Sequence, residues 1–490
     1  MLRKKATQKQ EGYEIVLLED LVPQEHILRK IAKAVDFSFI HDLCKDLYCA
    51  DNGRPAVEPT ILFKMLFIGY LFGIKSETRL VEEINVNMAY RWFLGYGLTD
   101  TIPNHATISI NRVRRFRDNN IAEKIFDEIL RQAQAAGLVG GAIVYTDATH
   151  IKAKANKHKK TLVTVEQTPK RYMEELDEQI DRDREILGKK PFDRDRDDDD
   201  DPPTKTRMQS RNDPDSGQLH REGKPDGFHY LEHRTVDSKH NIIVNCHVTA
   251  ANVADDVPLP EIIREIGRRL GQKPRYMGLD AGYHNAPTAW LLQKEGITGV
   301  IGYRRHTHKG DTYGKWRFWY DFEHDIYWCP QKKPLYWKTT NRQGYREYHC
   351  DTKTCRTCPD RGKCLSSSAN RKQVTRHVWQ DWLDKATAFA KTPNGKRLYR
   401  WRKETIELSF AESKENHGLR YARMVGIAGV REQCFLTDAV QNMKKMAKAL
   451  FLSFILCLDS LDDKPTRKSV GLLMVWAAAY CTQLLCYFRA

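Results

Sequence analysis

The sequence predicts a multi-domain α+β chain: a helical N-terminal region, an α/β layer on a mixed sheet, a β-rich cysteine-containing insertion and a helical C-terminus. Three observations carry this reading. Apolar residues recur at three and four spacing in PTILFKMLFIGYLFGI and AEKIFDEILRQAQAAGL, and again from about Gln373 to Ala449. Two short apolar runs, Ala142–Thr146 and Tyr276–Leu279, each end on an aspartate. Between 304 and about 370 the chain is rich in Tyr, Trp, His, Lys and Cys, with short alternating stretches.

A chain of 490 residues is too long for one core or for a small binding module. Its 41% hydrophobic and 29% charged content exclude global disorder. Eighty Lys and Arg against 64 Asp and Glu leave +16, which calls for a polyanionic partner. Glu174–Asp201 alone holds 14 acidic and six basic residues, so the remainder carries +24. Twelve cysteines and an N-terminus without an apolar h-region predict a reducing cytoplasm. Val470–Phe488 approaches the length of a membrane span, but Thr482 and Gln483 interrupt it; it reads as a docking helix, and no membrane partner is expected.

Each region follows from its pattern. Residues 1–140 form the helical domain; in Asn104–Arg117, a cap residue leads into Arg112, Arg114 and Arg115, read either as a DNA-reading helix or as a solvated basic one. Residues 141–303 form the first part of the α/β core. Its first strand delivers Asp147, and His150, Lys152 and Lys154 follow at alternating positions suited to gripping a DNA backbone. A charged insertion occupies about 161–225. A hairpin (Phe228–Val236 and Asn241–Thr249) and a helix (Pro260–Leu270) come next, then the strand delivering Asp280, a helix (Pro287–Lys294) and a strand (Gly299–Tyr303). The β-rich insertion is 304–372, where Trp316, Trp319, Tyr320 and Trp328 either pack a small domain or stack on an unpaired base. Helices fill 373–450, and 451–490 is an apolar tail.

A third acid lies on a helix. In Arg402–Gly418, Lys403, Glu407 and Lys414 share one face, while Ile406, Phe410, Ser413 and His417 form the stripe that packs on a sheet. Two strand-end aspartates and one helical glutamate supply the hard oxygens that two divalent ions require, and the neighbouring lysines suit phosphate. Glu404 and Glu412 compete with Glu407, and a strand-end aspartate is commonly only a turn residue.

YTDATHIKAKANKHKK, MGLDAGYHN and RKETIELSFAESKENHGLRYARMVG, in that order, resemble the three acidic motifs of bacterial insertion-sequence transposases with a DDE catalytic domain of RNase H-like fold, over roughly residues 20–450. The resemblance implies a catalytic triad of Asp147, Asp280 and Glu407 holding two Mg2+ (or Mn2+) ions, with Lys414 at the phosphate. It implies cleavage of transposon ends and strand transfer, with double-stranded DNA (terminal inverted repeats and target) as partner and a homodimer in the synaptic complex at the bacterial nucleoid. The family signature has an arginine four residues before the glutamate and a tyrosine three before that. This chain has Lys403 and Arg400 there, with Tyr399 and Arg402 each one position out of register. The 126-residue gap between Asp280 and Glu407 then reads as an insertion into the nuclease fold. Its Cys355-x2-Cys358 knuckle, with Cys329 and Cys364, suits a structural zinc; Cys350 is a competing ligand, and free thiols or an iron–sulfur cluster are the alternatives. The rival readings of the whole chain are an inactive transposase-derived DNA-binding or regulatory protein, which the unusual tail favours, and a nuclease that only hydrolyses.

Overall fold

The computed structural model describes residues 16–49, 55–166, 172–192, 204–220, 226–303 and 312–462. Helix α1 (Pro59–Leu71) starts where the Glu58 carboxylate accepts the Ile61 N–H at 3.0 Å and Pro59 presets the first turn. It is apolar on nearly every face and is the buried centre of the N-terminal helices. Helix α2 (His105–Asn111), capped by Asn104, runs into a π-turn over Arg112–Phe116. Asn120 then reverses the chain at φ 51° into α3 (Ile121–Ala135).

Strand β1 (Ile143–Lys152) opens the main sheet. Next, β2 (Lys160–Glu166), α4 (Met173–Ile186) and β3 (Thr204–Ser210) form a ribbon and helix. The charged stretch therefore contains a two-stranded ribbon that the sequence reading omitted: Thr161-Leu-Val-Thr-Val has the β-branched alternation of a strand, which the neighbouring charge runs obscured. Residues 193–203 lie outside the described part. The chain continues through β4 (Gly217–Leu219), β5 (Gly227–Asp237), β6 (Ile243–Ala250), α5 (Leu259–Leu270), β7 (Tyr276–Leu279), α6 (Ala286–Lys294) and β8 (Thr298–Ile301). The sheet runs β4-β5-β1-β7-β8, with β6 also on β5; β1, β7 and β8 are parallel and the rest antiparallel. All eleven residues of β5 are buried, so both of its faces are covered.

A separate antiparallel sheet follows: β9 (Trp319–Asp321), β10 (Ile326–Trp328), β11 (Pro334–Thr340), β12 (Tyr345–Cys350) and β13 (Gln373–His377), with its own core of Phe318, Tyr327, Leu335 and Tyr348. The sequence reading began helix at Gln373. Instead Gln373–His377 is the outermost strand, with β-branched Val374 paired to Tyr348, and the helix waits until Gln380. Then come α7 (Gln380–Lys391), α8 (Pro393–Trp401), a second π-turn (Lys403–Glu407), α9 (Leu408–Asn416) and the long α10 (Ile427–Asp462). One hydrophobic cluster joins α1, α3, the main sheet and α10, for example Phe126 against Phe435. The apolar stretch Val470–Phe488 lies outside the described residues. Among the described residues, no helix is long and apolar enough to cross a membrane.

Candidate active site

The parallel pair β1–β7 aligns Tyr145 with Gly278. Asp147 and Asp280 each lie two residues further on, so the alternation of a strand puts both on the same face at the same level. Gly278 permits this closeness: a Cβ there would sit 2.4 Å from Tyr145 Cδ1. The Tyr145 hydroxyl donates to the Leu398 carbonyl at 2.8 Å, fastening α8 to this strand. Beyond β7, the Asp280 carboxylate accepts the Gly282 N–H at 2.9 Å and turns the chain.

Glu407 reaches this pair from the second π-turn. The Glu407 N–H donates to the carbonyl of Arg402, five residues back, at 3.4 Å. In a regular helix, five residues would leave the two side chains about 140° apart; the wider turn brings them onto one side. There the Arg402 guanidinium donates to Asp147 through one nitrogen and to Glu407 Oε1 through another, at 3.2 Å. Arg402 is 8% exposed and its Nε has no partner. Burial pushes the Asp147 carboxyl up to about 6; Arg402 opposes that rise, while Asp280 and Asp255 add to it. Tyr283, fully buried with an unpartnered hydroxyl, has the same acids as neighbours, and they raise its phenol further above the ordinary range after burial.

The π-turn also accounts for the shifted spacing. Tyr399 and Arg402 precede Glu407 by eight and five residues, each one more than in the signature quoted above, and a π-turn absorbs one residue. Tyr399 lies on the same side, its hydroxyl against Gly302 beside the Asp280 loop. Of the competing glutamates, Glu412 is engaged elsewhere, taking hydrogen bonds from Lys444 (2.6 Å) and Gln441 (3.1 Å), while Glu404 is exposed and, unlike Glu407, takes no bond from Arg402. Ile406, Phe410, Ser413 and His417 are all buried, as their spacing predicts.

The basic candidates divide. Lys403, Lys152 and Lys154 are exposed; Lys414 and His150 are half-buried. His150 and Lys152 lie at even positions of β1, on the face opposite Asp147. Arg112 is a correction. It is buried, ion-paired to Glu77 and Glu432 and donates to the Tyr70 hydroxyl oxygen, so it joins the end of α2 to α10 instead of facing DNA. Arg115 is also engaged, donating to Asn111 (2.7 Å) and lying over Tyr48, whereas Arg114 is exposed. In the small sheet, Trp316 and Trp319 are exposed, while Tyr320 and Trp328 are held by Asp325 and Asp321.

Cys329, Cys350, Cys355, Cys358 and Cys364 gather at one end of that sheet, and Cys329 Sγ accepts the Lys333 N–H at 3.3 Å. Among the described residues, however, the one set of three ligand atoms lying within 4.8 Å of one another is Glu232, Cys246 and Asp438. A cation is already there. Fully buried Arg234 pairs with Glu232 and Asp438 and donates to Ser409 Oγ (2.9 Å), Ser413 Oγ (2.8 Å) and Gln441 Oε1 (3.2 Å). Arg234 is also the cross-strand partner of Asp147, so this network ties the aspartate's neighbouring strand to the helix after Glu407. The sequence reading named Arg402 only as one position out of register, and it missed Asp255, Tyr283 and Arg234. The signal for the last was two charges, Glu232 and Arg234, alternating in a strand otherwise suited to full burial.

A family model described as a transposase domain (DUF772) matches residues 16–114, and one described as a transposase DDE domain matches residues 328–447. The second range includes Arg402, Glu407 and Lys414; Asp147 and Asp280 lie outside both. No curated protein matches the chain. Among solved structures, a piggyBac transposase in a synaptic complex with hairpin DNA is similar at 10% identity and a TM-score of 0.33, covering 87% of this chain and 79% of that one.

Proposed function

We propose, for a chain that belongs with the DDE transposases, that Asp147, Asp280 and Glu407 form the cutting site, on a main sheet of RNase H-like type. The observation that carries this is the convergence of three acids from distant parts of the sequence: two at equal heights on adjacent parallel strands, the third joined to the first through Arg402. The donors fit Mg2+ or Mn2+ in kind, since all are carboxylates and a guanidinium already occupies a cation's place between two of them; the three do not lie within 4.8 Å of one another here and must draw closer around an ion. When bound, two such ions activate the attacking oxygen and stabilise the leaving one.

The chain's own part is placement. The β1–β7 register fixes the two aspartates, the Gly282 N–H orients Asp280, and the π-turn aims Glu407. Lys414, seven residues beyond Glu407, is assigned to the phosphate, and exposed Lys403, Lys154 and Arg114 to the DNA backbone; His150 and Lys152, on the face of β1 opposite Asp147, are given no place at the scissile phosphate. The reaction is in-line attack on phosphorus, by water at the transposon ends and then by the freed DNA 3′ hydroxyls on target DNA. A dimer holding both ends is the proposed working unit. For the cysteine end we propose a structural zinc on Cys329, Cys355, Cys358 and Cys364, whose sulfurs must draw closer than they stand here. Metal analysis should then find one zinc per chain, lost in Cys355→Ser.

The test is Mg2+- or Mn2+-dependent cleavage of DNA carrying the element's own ends. Wild type should nick and join, while Asp147→Ala, Asp280→Ala and Glu407→Gln should bind DNA without cutting. Binding without cutting by wild type would leave a DNA-binding relic, and cutting without joining a simple nuclease.

A further inference from the structure

The acidic site is not simply open to a divalent ion. Arg402 already spans it, with two of its three nitrogens on Asp147 and Glu407. We propose that Arg402 is the resident cation of this site, displaced when metal binds, so that one side chain couples the entry of metal to the entry of DNA. This rests on the metal reading above.

Three observations support it. First, the contact is built rather than incidental. Arg402 is 8% exposed, and the π-turn whose i to i+5 hydrogen bond joins it to Glu407 is what brings both side chains to one side. Second, arginine and metal compete for this site. A divalent ion would draw on the carboxylates whose Asp147 Oδ2 and Glu407 Oε1 now accept N–H groups, and would stand beside a positive guanidinium. Third, Nε is buried without a partner, so the present arrangement leaves one donor unsatisfied, and an arginine that turns outward onto a phosphate gives up no hydrogen bond at that nitrogen. A scissile phosphate entering the site therefore draws the arginine off the acids just when metal is needed there. Without DNA, the arginine keeps the acids neutralised and the site poorly receptive to metal.

The readout is metal affinity, not cutting. Mn2+ binding to the full chain is followed by the loss of the free-ion paramagnetic signal, for wild type, Arg402→Gln, Arg402→Lys and Asp147→Ala. Without DNA, Arg402→Gln should bind Mn2+ about tenfold more tightly than wild type, the scale of an ordinary linkage between two ligands. Arg402→Lys, which keeps a charge but cannot span both acids, should fall between. Added duplex DNA should tighten Mn2+ binding to wild type and leave Arg402→Gln unchanged. Thermal unfolding checks that each variant is folded, and the lysine variant carries the test should the glutamine variant fail to fold. If Asp147→Ala loses Mn2+ but neither arginine variant binds it more tightly, or if DNA tightens wild type and Arg402→Gln alike, the arginine proposal falls and the metal site stands. If Asp147→Ala binds Mn2+ like wild type, both fall.

Discussion

Replacing Arg234 with methionine tests how the core holds the site. Arg234, Glu232 and Asp438 are all fully buried, and the guanidinium also serves Ser409, Ser413 and Gln441. The variant strands two carboxylates in the interior, and breaking a buried ion pair from one side costs about 3–5 kcal/mol. Set against a total stability of about 5–15 kcal/mol, that is a large fraction. The loss should depend on pH. Burial already holds Asp438 well above the ordinary carboxylate range despite Arg234. Without the arginine, the Asp438 carboxyl is held higher still and keeps its proton in the folded chain but releases it near pH 4 when unfolded. The folded state then binds more protons, so stability falls as pH rises, and the deficit against wild type should be greater at about pH 8 than at about pH 5.5. Urea unfolding followed by tryptophan fluorescence at the two pH values measures it. Adding Glu232→Gln and Asp438→Asn removes the stranded charges and should recover most of the loss. A single variant within about 1 kcal/mol of wild type, or a triple variant no more stable than the single one, would refute the reasoning.

Gly278→Ala should cost about 1–3 kcal/mol by forcing its new methyl into the Tyr145 ring, and should weaken Mn2+ binding by parting the two aspartates; a melting scan and a metal titration read both. Burial holds His233 at about 3 and His377 at about 4. The unfolded chain therefore takes up protons first, and stability that is complete above about pH 6.5 is lost as pH falls, at about 1.4 kcal/mol per histidine per pH unit. His233→Leu should make that decline shallower by about one proton in urea midpoints measured from about pH 7 to about pH 5. Glu412→Gln should lose about 1 kcal/mol with its Lys444 pairing and still cut DNA, and Glu404→Gln should change neither property; a folded Glu412→Gln that no longer cuts would move the third acid to that position.

Much of this arrangement is legible in the sequence because it is local. A short apolar run ending in aspartate fixes both strand and acid, and the stripe Ile406, Phe410, Ser413 and His417 shows which side of the helix is buried. What stays hidden depends on remote partners or on a break in periodicity. Arg112 and Arg114 look alike in the chain; only Glu77 and Glu432, the latter 320 residues away, make Arg112 a core residue. Arg234 hides in the same way behind Asp438. The π-turn is invisible to any count based on 3.6 residues per turn, which is why Lys403 appears to share a face with Glu407 and Arg402 does not. The ribbon β2–β3 and the strand β13 were lost to neighbouring charge and to an adjoining helical pattern.

Helix α10 has a practical consequence for anyone dissecting the chain. It packs against α1, α3 and β6, and its Glu432 answers an arginine from the N-terminal helices. A fragment ending at Gly140 would leave Phe126 without Phe435 and Arg112 without one of its two carboxylates, and a fragment beginning there would expose the opposite side of the same seam. Cuts drawn at the matched ranges would divide a single interior, so pieces made that way should aggregate, and the intact chain is the unit to express.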